Sequence, residues 1–249
     1  MKEYLDEDLF YELKDSMIYL ERTQADGRVR EGLMGMVDLE DYSYEKGSQT
    51  LIRATEKTVI ERIPPRLKVR ENALLELPHI MILIDDEKKK IIENLKNEVT
   101  DSEVVYDFDL MENGGHIKGY KLNNDSMTKV EEGLEALCNK EYFEKKYNVS
   151  DKGVLLFAMG DGNHSLATAK ANYENLKKTM TPDEYLNHPS RYALVELVNL
   201  HSEALEFEPI HRVIFDTDVN KLIEELYKYY DINEEGNGQY FELVTKDID

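Results

Sequence analysis

The chain is poor in cysteine, in basic residues and in long apolar runs, and each shortage excludes a class of protein. Its single cysteine, Cys138, cannot form an intramolecular disulfide, which favours a reducing cytoplasm. With 31 basic against 52 acidic residues, the formal net charge of -21 opposes binding to nucleic acids and to anionic membranes. No run reaches the roughly 18 apolar residues of a membrane span, and the acidic N-terminus lacks the apolar core of a signal peptide. We expect a cytoplasmic protein with neither a nucleic-acid nor a membrane partner.

What the chain does contain is enough apolar sequence for a real core. It has 249 residues, of which 41% are hydrophobic, so it can form one large domain or two small ones. Strand-like and helix-like segments alternate, but several neighbouring strands are separated only by hairpin turns. We therefore expect an α/β (α+β) fold, a mixed β-sheet with packed helices, as a single region over residues 1–249 that would divide near 123–126. The C-terminus stops without a capping element, which indicates a fragment of a longer protein.

Hydrophobic periodicity and turn residues predict the individual elements. Strands are expected over residues 16–22, 33–37, 77–84, 104–110, 117–122, 154–159, 193–200, 207–215 and 240–244. Helices are expected to end near residues 10–13 and to cover 88–99, 125–147, 163–176 and 218–229. The consecutive Pro64 and Pro65 are expected to forbid a helix around them and to set an extended turn.

The clearest candidate site is the junction where the apolar strand over 154–159 meets the next helix. It reads Gly160-Asp161-Gly162-Asn163-His164-Ser165. Glycines allow positive φ and close approach of a ligand, and the free N–H groups of a helix N-terminus attract a phosphate or carboxylate. The same residues are equally consistent with a purely structural turn in which Asn163 is the N-cap.

The side chains of this junction suggest specific roles. Asp161 could hold a metal ion or accept a proton from a hydroxyl, and His164 could donate to a phosphate oxygen or act as acid and base. Ser165 offers a hydroxyl to an anion. No zinc-type spacing, Walker A loop or nucleophile elbow is present.

Residues 51–70 break the acidic pattern of the chain, with six basic residues against two acidic ones. Arginines bind phosphate in a bidentate manner, so Arg62 and Arg66 are candidate ligands if this segment folds over the junction. Glu56 is the candidate base there, although an ordinary ion pair with Lys57 or Arg53 is the alternative. His211 and Arg212 are weaker candidates, because alternation along a strand allows only one of them to face a pocket.

These segments together resemble a known prokaryotic family, domain of unknown function 1015. The resemblance is carried by four segments: Arg53-Ala54-Thr55-Glu56-Lys57-Thr58, Glu61-Arg62-Ile63-Pro64-Pro65-Arg66, Gly160 to Ala167, and Phe207-Glu208-Pro209-Ile210-His211-Arg212. They cover nearly the whole chain in the family's order. The family is usually longer at both ends, so this chain resembles its middle portion. The family has no established activity.

A more distant resemblance concerns the Asp-Gly-x-His core, Asp161 to His164, which is similar to the signature of the ParB/sulfiredoxin-like superfamily. That likeness implies a ParB/sulfiredoxin-like core around the turn and a nucleotide phosphate contacted by Gly162, Asn163 and His164. The wider family often has Asp-Gly-His-His-Arg, whereas this chain carries Asn163 and Ser165 in place of a His and the Arg. The lost arginine would have to be replaced by Arg62 or Arg66.

Three functions remain open at this point. The first is a nucleotide-dependent phosphotransferase or hydrolase that acts on a small metabolite, with a nucleotide and Mg²⁺ as cofactors. The second is a non-catalytic module that binds or senses a small anion at the same turn. The third is a scaffold subunit without a ligand.

Overall fold

The computed structural model describes residues 2–75, 77, 80–100, 103–206, 211–233 and 240–245. The chain divides into two units, Met1–Glu206 and Phe207–Asp249. Residues 123–126 lie inside the first unit, at the start of a helix. Within the parts that the structure describes, every helix is too short or too polar to cross a bilayer.

The described residues of the first unit form a nine-stranded mixed sheet with helices packed on it. The strands are β1 Ile18–Thr23, β2 Val29–Asp38, β3 Tyr42–Ser43, β4 Ile52–Arg53, β5 Met81–Ile84, β6 Val104–Asp109, β7 His116–Lys121, β8 Phe157–Asp161 and β9 Tyr192–Asn199. The α-helices are α1 Lys2–Asp6, α2 Ile63–Arg70, α3 Asn124–Leu137, α4 Lys140–Tyr147, α5 Asn163–Lys177 and α6 Pro182–Leu186, and α7 Val219–Tyr229 belongs to the second unit. The expected α/β class with a mixed sheet is thus confirmed.

The strand order is β3-β4-β8-β5-β9-β2-β1-β7-β6. One half of the sheet, β9-β2-β1-β7-β6, is antiparallel throughout, as hairpin connections require. In the other half β5 pairs parallel with β9 and antiparallel with β8. The carboxyl ends of β5 and β9 therefore meet at one edge of the sheet, and the carboxyl end of β8 lies at the opposite edge.

The core lies on the sheet face that carries alternate residues of the central strands. Tyr19, Leu33 and Leu197 stand side by side across β1, β2 and β9, and Ile82 of β5 pairs with Leu197. All four side chains are buried. This period of two places apolar side chains inward and explains why the strands were recognisable in the sequence.

Several predicted elements are confirmed. The β1–β2 hairpin turns at Gly27, whose φ of 86° only glycine adopts without strain. The β6–β7 hairpin turns through Asn113, Gly114 and Gly115. Helix α5 begins at Asn163 as predicted, and α7 is capped by Asp218, whose carboxylate accepts from the Asn220 and Lys221 amides.

The double proline does not prevent a helix, and that prediction was wrong. Pro64 and Pro65 occupy the first turn of α2. A proline costs nothing there, because the N–H it lacks has no partner within the helix and its fixed φ is already helical. The expected helix over 125–147 is also interrupted: α3 ends at Leu137 and Asn139 caps a separate α4 by accepting from the Tyr142 amide.

Other expected elements are shorter or absent. Residues 10–13 contain no helix, and the helical segment expected over 88–99 is reduced to a 3₁₀ helix at Glu93–Asn97. The strand expected at 154–159 is displaced to Phe157–Asp161. In the second unit no strand forms at 211–215 or 240–244, and residues 207–210 of the first of these predictions lie outside the described part of the chain.

Candidate functional site

The predicted junction forms where β8 turns into α5. The strand includes Gly160 and Asp161, Gly162 is the N-cap with φ 90° and ψ 22°, and Asn163 is the first helical residue. That left-handed conformation requires glycine at 162. Gly160 serves packing instead, because a Cβ there would lie 3.1 Å from Leu83 Cγ on the neighbouring strand. Of the two glycines, only Gly162 shapes the turn that a ligand would meet.

The N-terminus of α5 has no side-chain cap, since glycine at the N-cap has no oxygen to offer. The Gly162 amide donates to Asp161 Oδ1 at 2.7 Å. The amides of Asn163, His164 and Ser165 form the first turn of the helix, where N–H groups have no partner within the helix. Together with the helix dipole they make this end of α5 favourable for an anion.

The loop between β4 and α2 is attached to the turn by two hydrogen bonds. Thr55 Oγ1 donates to the Met159 carbonyl at 2.8 Å, and the Val59 amide donates to His164 Nε2 at 3.3 Å. These contacts bracket Glu56, which is exposed on the loop. The structure therefore places the loop that carries Glu56 beside the turn, and its role as a base stays a prediction.

The same contact defines what His164 can do. Because Nε2 accepts a hydrogen bond, the neutral imidazole carries its proton on Nδ1. His164 can donate that proton to a ligand oxygen, but its Nε2 is not free to act as a base. The ring is partly buried, and Thr168 Oγ1 donates to the His164 carbonyl at 2.6 Å, which holds the first turn of α5.

Two buried polar atoms beside the turn have no hydrogen-bond partner among the described residues. They are Thr58 Oγ1 and Asn163 Oδ1, and each residue is only 5% exposed. Thr58 immediately precedes the Val59 amide that contacts His164, so both atoms belong to the same junction. A buried polar group without a partner costs about 1–3 kcal/mol, and such groups commonly mark the place of a water, ion or ligand.

The basic stretch divides into a structural part and an exposed part. Arg53 donates to the carbonyls of Thr50 at 2.7 Å, Gly153 at 2.7 Å and Val154 at 2.8 Å, so its guanidinium fastens β4 to the segment before β8. It neither pairs with Glu56 through these donors nor faces a ligand. Burial lowers the pKa of Arg70, at the far end of α2, to about 10.

Arg62 and Arg66 are the exposed cations at the start of α2, a helix that packs along α5. The Arg62 amide donates to the Val59 carbonyl, and Arg66 Nη1 donates to the Arg62 carbonyl at 2.9 Å. Arg62 thus lies one turn from the residue that touches His164. His211 and Arg212 belong to the second unit, where His211 is exposed, and their role at the turn stays a prediction.

A second cluster, which the sequence reasoning missed, forms at the carboxyl ends of β5 and β9. Asp85 Oδ1 contacts His201 Nε2 at 2.7 Å and Lys146 Nζ at 2.9 Å, and the Tyr147 hydroxyl donates to Asp85 Oδ2. Glu87 lies 3.6 Å from Lys146. Burial opposes the charge on Asp85, but the hydrogen bonds from Lys146, Tyr147 and His201 outweigh it and lower its pKa to about 2.

Asp85, Glu87 and His201 are close enough to hold a metal ion. The Lys146 ammonium, however, already contacts both carboxylates. It balances one of the two negative charges and fastens α4 to the sheet. Asp85 follows one buried strand and His201 follows another, so parallel pairing of these strands was the signal that would have joined them.

This fold and site define a mixed α/β protein in which the helix after β8 has glycine as its N-cap and therefore no side-chain cap. The family model described as "Protein of unknown function (DUF1015)" matches residues 1–248, and the chain belongs to this family. Comparisons with curated proteins and with solved structures give no match.

Proposed function

We propose that this protein binds a phosphate-bearing small molecule, in the first instance a nucleotide with Mg²⁺, at the junction of β8 and α5. The reaction proposed there is transfer of a phosphoryl group to a small metabolite or to water. The observation that carries the proposal is the uncapped N-terminus of α5 with two unpartnered buried polar atoms, on Thr58 and Asn163, beside it.

The donors around the turn suit a phosphate. First-turn amides, the Nδ1 proton of His164 and the Thr58 hydroxyl all donate, and Asn163 presents its NH₂ group when its amide is rotated. Arg62 and Arg66 supply positive charge from the adjoining helix, in place of the arginine that Ser165 replaces in the wider family. The similarity of Asp161 to His164 to the ParB/sulfiredoxin-like signature supports the same ligand class.

Asp161 explains why a metal ion belongs in the proposal. Its carboxylate is exposed at the turn, and only Oδ1 is engaged by the Gly162 amide. An anion bound at α5 would be repelled by this charge unless a cation lies between them. Mg²⁺ is commonly held by one or two carboxylates together with substrate phosphates and waters, so Asp161 Oδ2 is a sufficient protein ligand.

Glu56 is the proposed base. In that role its carboxylate takes the proton of an attacking hydroxyl or water, whose oxygen forms a bond to phosphorus as the bond to the leaving phosphate oxygen breaks. His164 acts as a donor to the transferred group, since its Nε2 is occupied by Val59. This division of roles predicts that substitution of Glu56 lowers turnover and that substitution of His164 weakens ligand binding.

The test is a thermal-shift panel of nucleotides, pyrophosphate and inorganic phosphate, with and without Mg²⁺, followed by assays of phosphate release. A ligand at one hundred times its Kd adds about 2.7 kcal/mol of stability. We expect stabilisation that needs Mg²⁺ and that falls in Arg62→Gln/Arg66→Gln. The charge-matched control Lys129→Gln/Lys140→Gln removes two exposed cations from α3 and α4 and should respond as wild type.

The Glu56→Gln variant distinguishes an enzyme from a non-catalytic anion-binding module. If the protein is an enzyme, this variant keeps ligand affinity and loses turnover, whereas His164→Ala loses affinity. Ligand binding with no turnover in the wild type would reduce the proposal to anion sensing. No stabilisation by any phosphate compound would contradict it altogether.

A further inference from the structure

A separate cavity of about 220 Å³ lies on the core face of the sheet, away from the turn residues Asp161 to Ser165. Its walls are mostly apolar side chains from alternate positions of neighbouring strands, and Leu134 of α3 covers it. The strands contribute Leu33, Gly35 and Val37 of β2, Val195 and Leu197 of β9, and Phe157 of β8 to these walls.

Gly35 is the residue that opens this cavity. It lies between Leu33 and Val37 on the same face of β2, where each neighbour fills its position with a buried side chain. A Cβ at Gly35 would meet no atom within 4 Å, whereas a Cβ at Gly32, on the other face, would lie 2.5 Å from Glu196 Oε1. Gly35 also has no positive φ. Neither backbone conformation nor packing therefore requires glycine at this position.

Two acidic residues, Asp38 and Asp41, are among the residues that line the cavity. Asp38 is neutralised by Arg191, whose Nε lies 3.0 Å from Oδ1 and whose Nη2 lies 2.5 Å from Oδ2. Across the described parts of the chain, no donor lies within hydrogen-bond distance of Asp41. Asp41 is exposed on its solvent side. Partial desolvation and the charge of Asp38 nevertheless raise its pKa, against the opposing charges of Arg191 and Lys170. A cationic partner would offset the repulsion from Asp38.

We propose that this cavity binds a small molecule with an apolar body of about one ring and a positively charged amine that pairs with Asp41. The volume fits, because a dry apolar cavity of about 150 Å³ accepts benzene. The carboxylate of Asp41 would orient the ligand, as a small number of polar groups do in small-molecule sites generally. This site is independent of the phosphate site and carries no reaction in the proposal.

The experiment uses the methionine methyl groups of the full chain as reporters. Met17 lines the cavity, whereas Met36, on the opposite face of β2, and Met111, on the β6–β7 hairpin, are exposed. In ¹³C-methyl-methionine spectra, 2-phenylethylamine should shift the Met17 signal in a saturable manner and leave Met111 unchanged. The anion of similar size, 3-phenylpropionate, should bind at least about three- to fivefold more weakly, as the loss of one partly exposed charge pair implies.

Substitutions at two positions, Gly35 and Asp41, test the two parts of the proposal. Gly35→Val should fill the cavity and abolish the amine-dependent shifts, and Gly35→Ala should weaken them while perturbing the fold less. Asp41→Asn should remove the preference for the amine, whereas Glu45→Gln, an exposed carboxylate outside the cavity, should keep it. Both Gly35 variants should respond to nucleotides as wild type does.

Absence of a saturable shift at Met17 in the wild type would overturn the proposal without any variant. So would undiminished binding in Gly35→Ala or Gly35→Val. Equal affinity for the amine and the carboxylate would overturn the assigned ligand charge. A failure of the nucleotide panel leaves these outcomes unaffected, because they are read from different residues.

Discussion

The two edges of the central strands β5, β8 and β9 carry polar clusters of opposite character. At one edge Asp85 receives a hydrogen bond or ion pair from Lys146, Tyr147 and His201. The other edge lies about 13 Å away, which is the length of four strand residues. There, Thr58 and Asn163 have buried polar atoms without partners among the described residues. Asp85 has a partner on each of its carboxylate oxygens, whereas Thr58 and Asn163 each leave a polar atom unused. At the first edge Glu93 Oε2, whose other oxygen accepts from Asn199, is likewise without a partner among the described residues.

This difference teaches how to separate structural polarity from functional polarity in one sheet. A saturated cluster contributes to stability and has nothing left to offer a ligand. An unsaturated one lowers stability by about 1–3 kcal/mol for each unpaired group and is compensated when a ligand binds. Substitutions at the two edges should therefore affect stability and ligand binding in opposite proportions.

The largest expected effect is on stability at the saturated edge. Asp85→Asn removes the acceptor charge shared by Lys146, Tyr147 and His201, and we expect a loss of about 2 kcal/mol in the free energy of unfolding, measured in urea at pH 7. A fully buried pair would cost about 3–5 kcal/mol, but a quarter of this side chain, 25%, is exposed. Binding of phosphate compounds should not change.

The pH dependence of the wild type supplies an internal check. The lowered pKa of Asp85 means that its contribution is present above the unfolded value of 3.8 and is lost as pH falls towards about 2. The difference in the free energy of unfolding between the wild type and Asp85→Asn should shrink as the pH falls over the same interval. Asp26→Asn is the control, because its ion pair with Arg28 is exposed on both sides. A loss of ligand affinity in Asp85→Asn without a change in unfolding would break the comparison.

The next largest effect is expected at the turn, where a substitution should change both the free energy of unfolding and the affinity for phosphate compounds. Gly162→Ala places a Cβ on a backbone with φ 90°, which costs about 1–2 kcal/mol, and it should also displace the first-turn amides and weaken phosphate binding. Gly27→Ala imposes the same strain at φ 86° in the β1–β2 turn, where a Cβ meets nothing within 4 Å. Calorimetry should show equal destabilisation of the two variants but weaker binding in Gly162→Ala alone.

The smallest expected effect is the change in the free energy of unfolding caused by Thr58→Val, and its sign tests whether the turn is an unsaturated site. Thr58→Val replaces an unpartnered buried hydroxyl with a methyl group, so the unliganded protein should gain up to about 1 kcal/mol while affinity for phosphate compounds falls. Thr168→Val, at an equally buried threonine, loses the 2.6 Å bond to the His164 carbonyl and should be destabilised. If Thr58→Val destabilises the unliganded protein as Thr168→Val does, the hydroxyl has a structural role and the turn is not an unsaturated site.

Local sequence was a good guide where a single element decided the outcome. The hairpins at Gly27 and Gly115, the start of α5 at Asn163 and the mixed class of the sheet were predicted from turn residues and periodicity. It failed where position within an element mattered, as at Pro64 and Pro65, which break a helix interior but initiate α2. Arg53 shows the same limit at the site, since an ion pair with Glu56 was the expected alternative and its guanidinium binds three carbonyls instead.

The sequence by itself determined the charge, the class of fold and the strand–glycine–helix junction, because these depend on composition and on residues close together in the chain. Only the tertiary structure decided that the loop carrying Glu56 and Thr58 lies against His164, that Asp85 meets His201, and that Gly35 opens a cavity. These juxtapositions join segments some 100 residues apart. They depend on which strands pair and in which direction, and that choice minimises the free energy of the whole sheet rather than of any one segment.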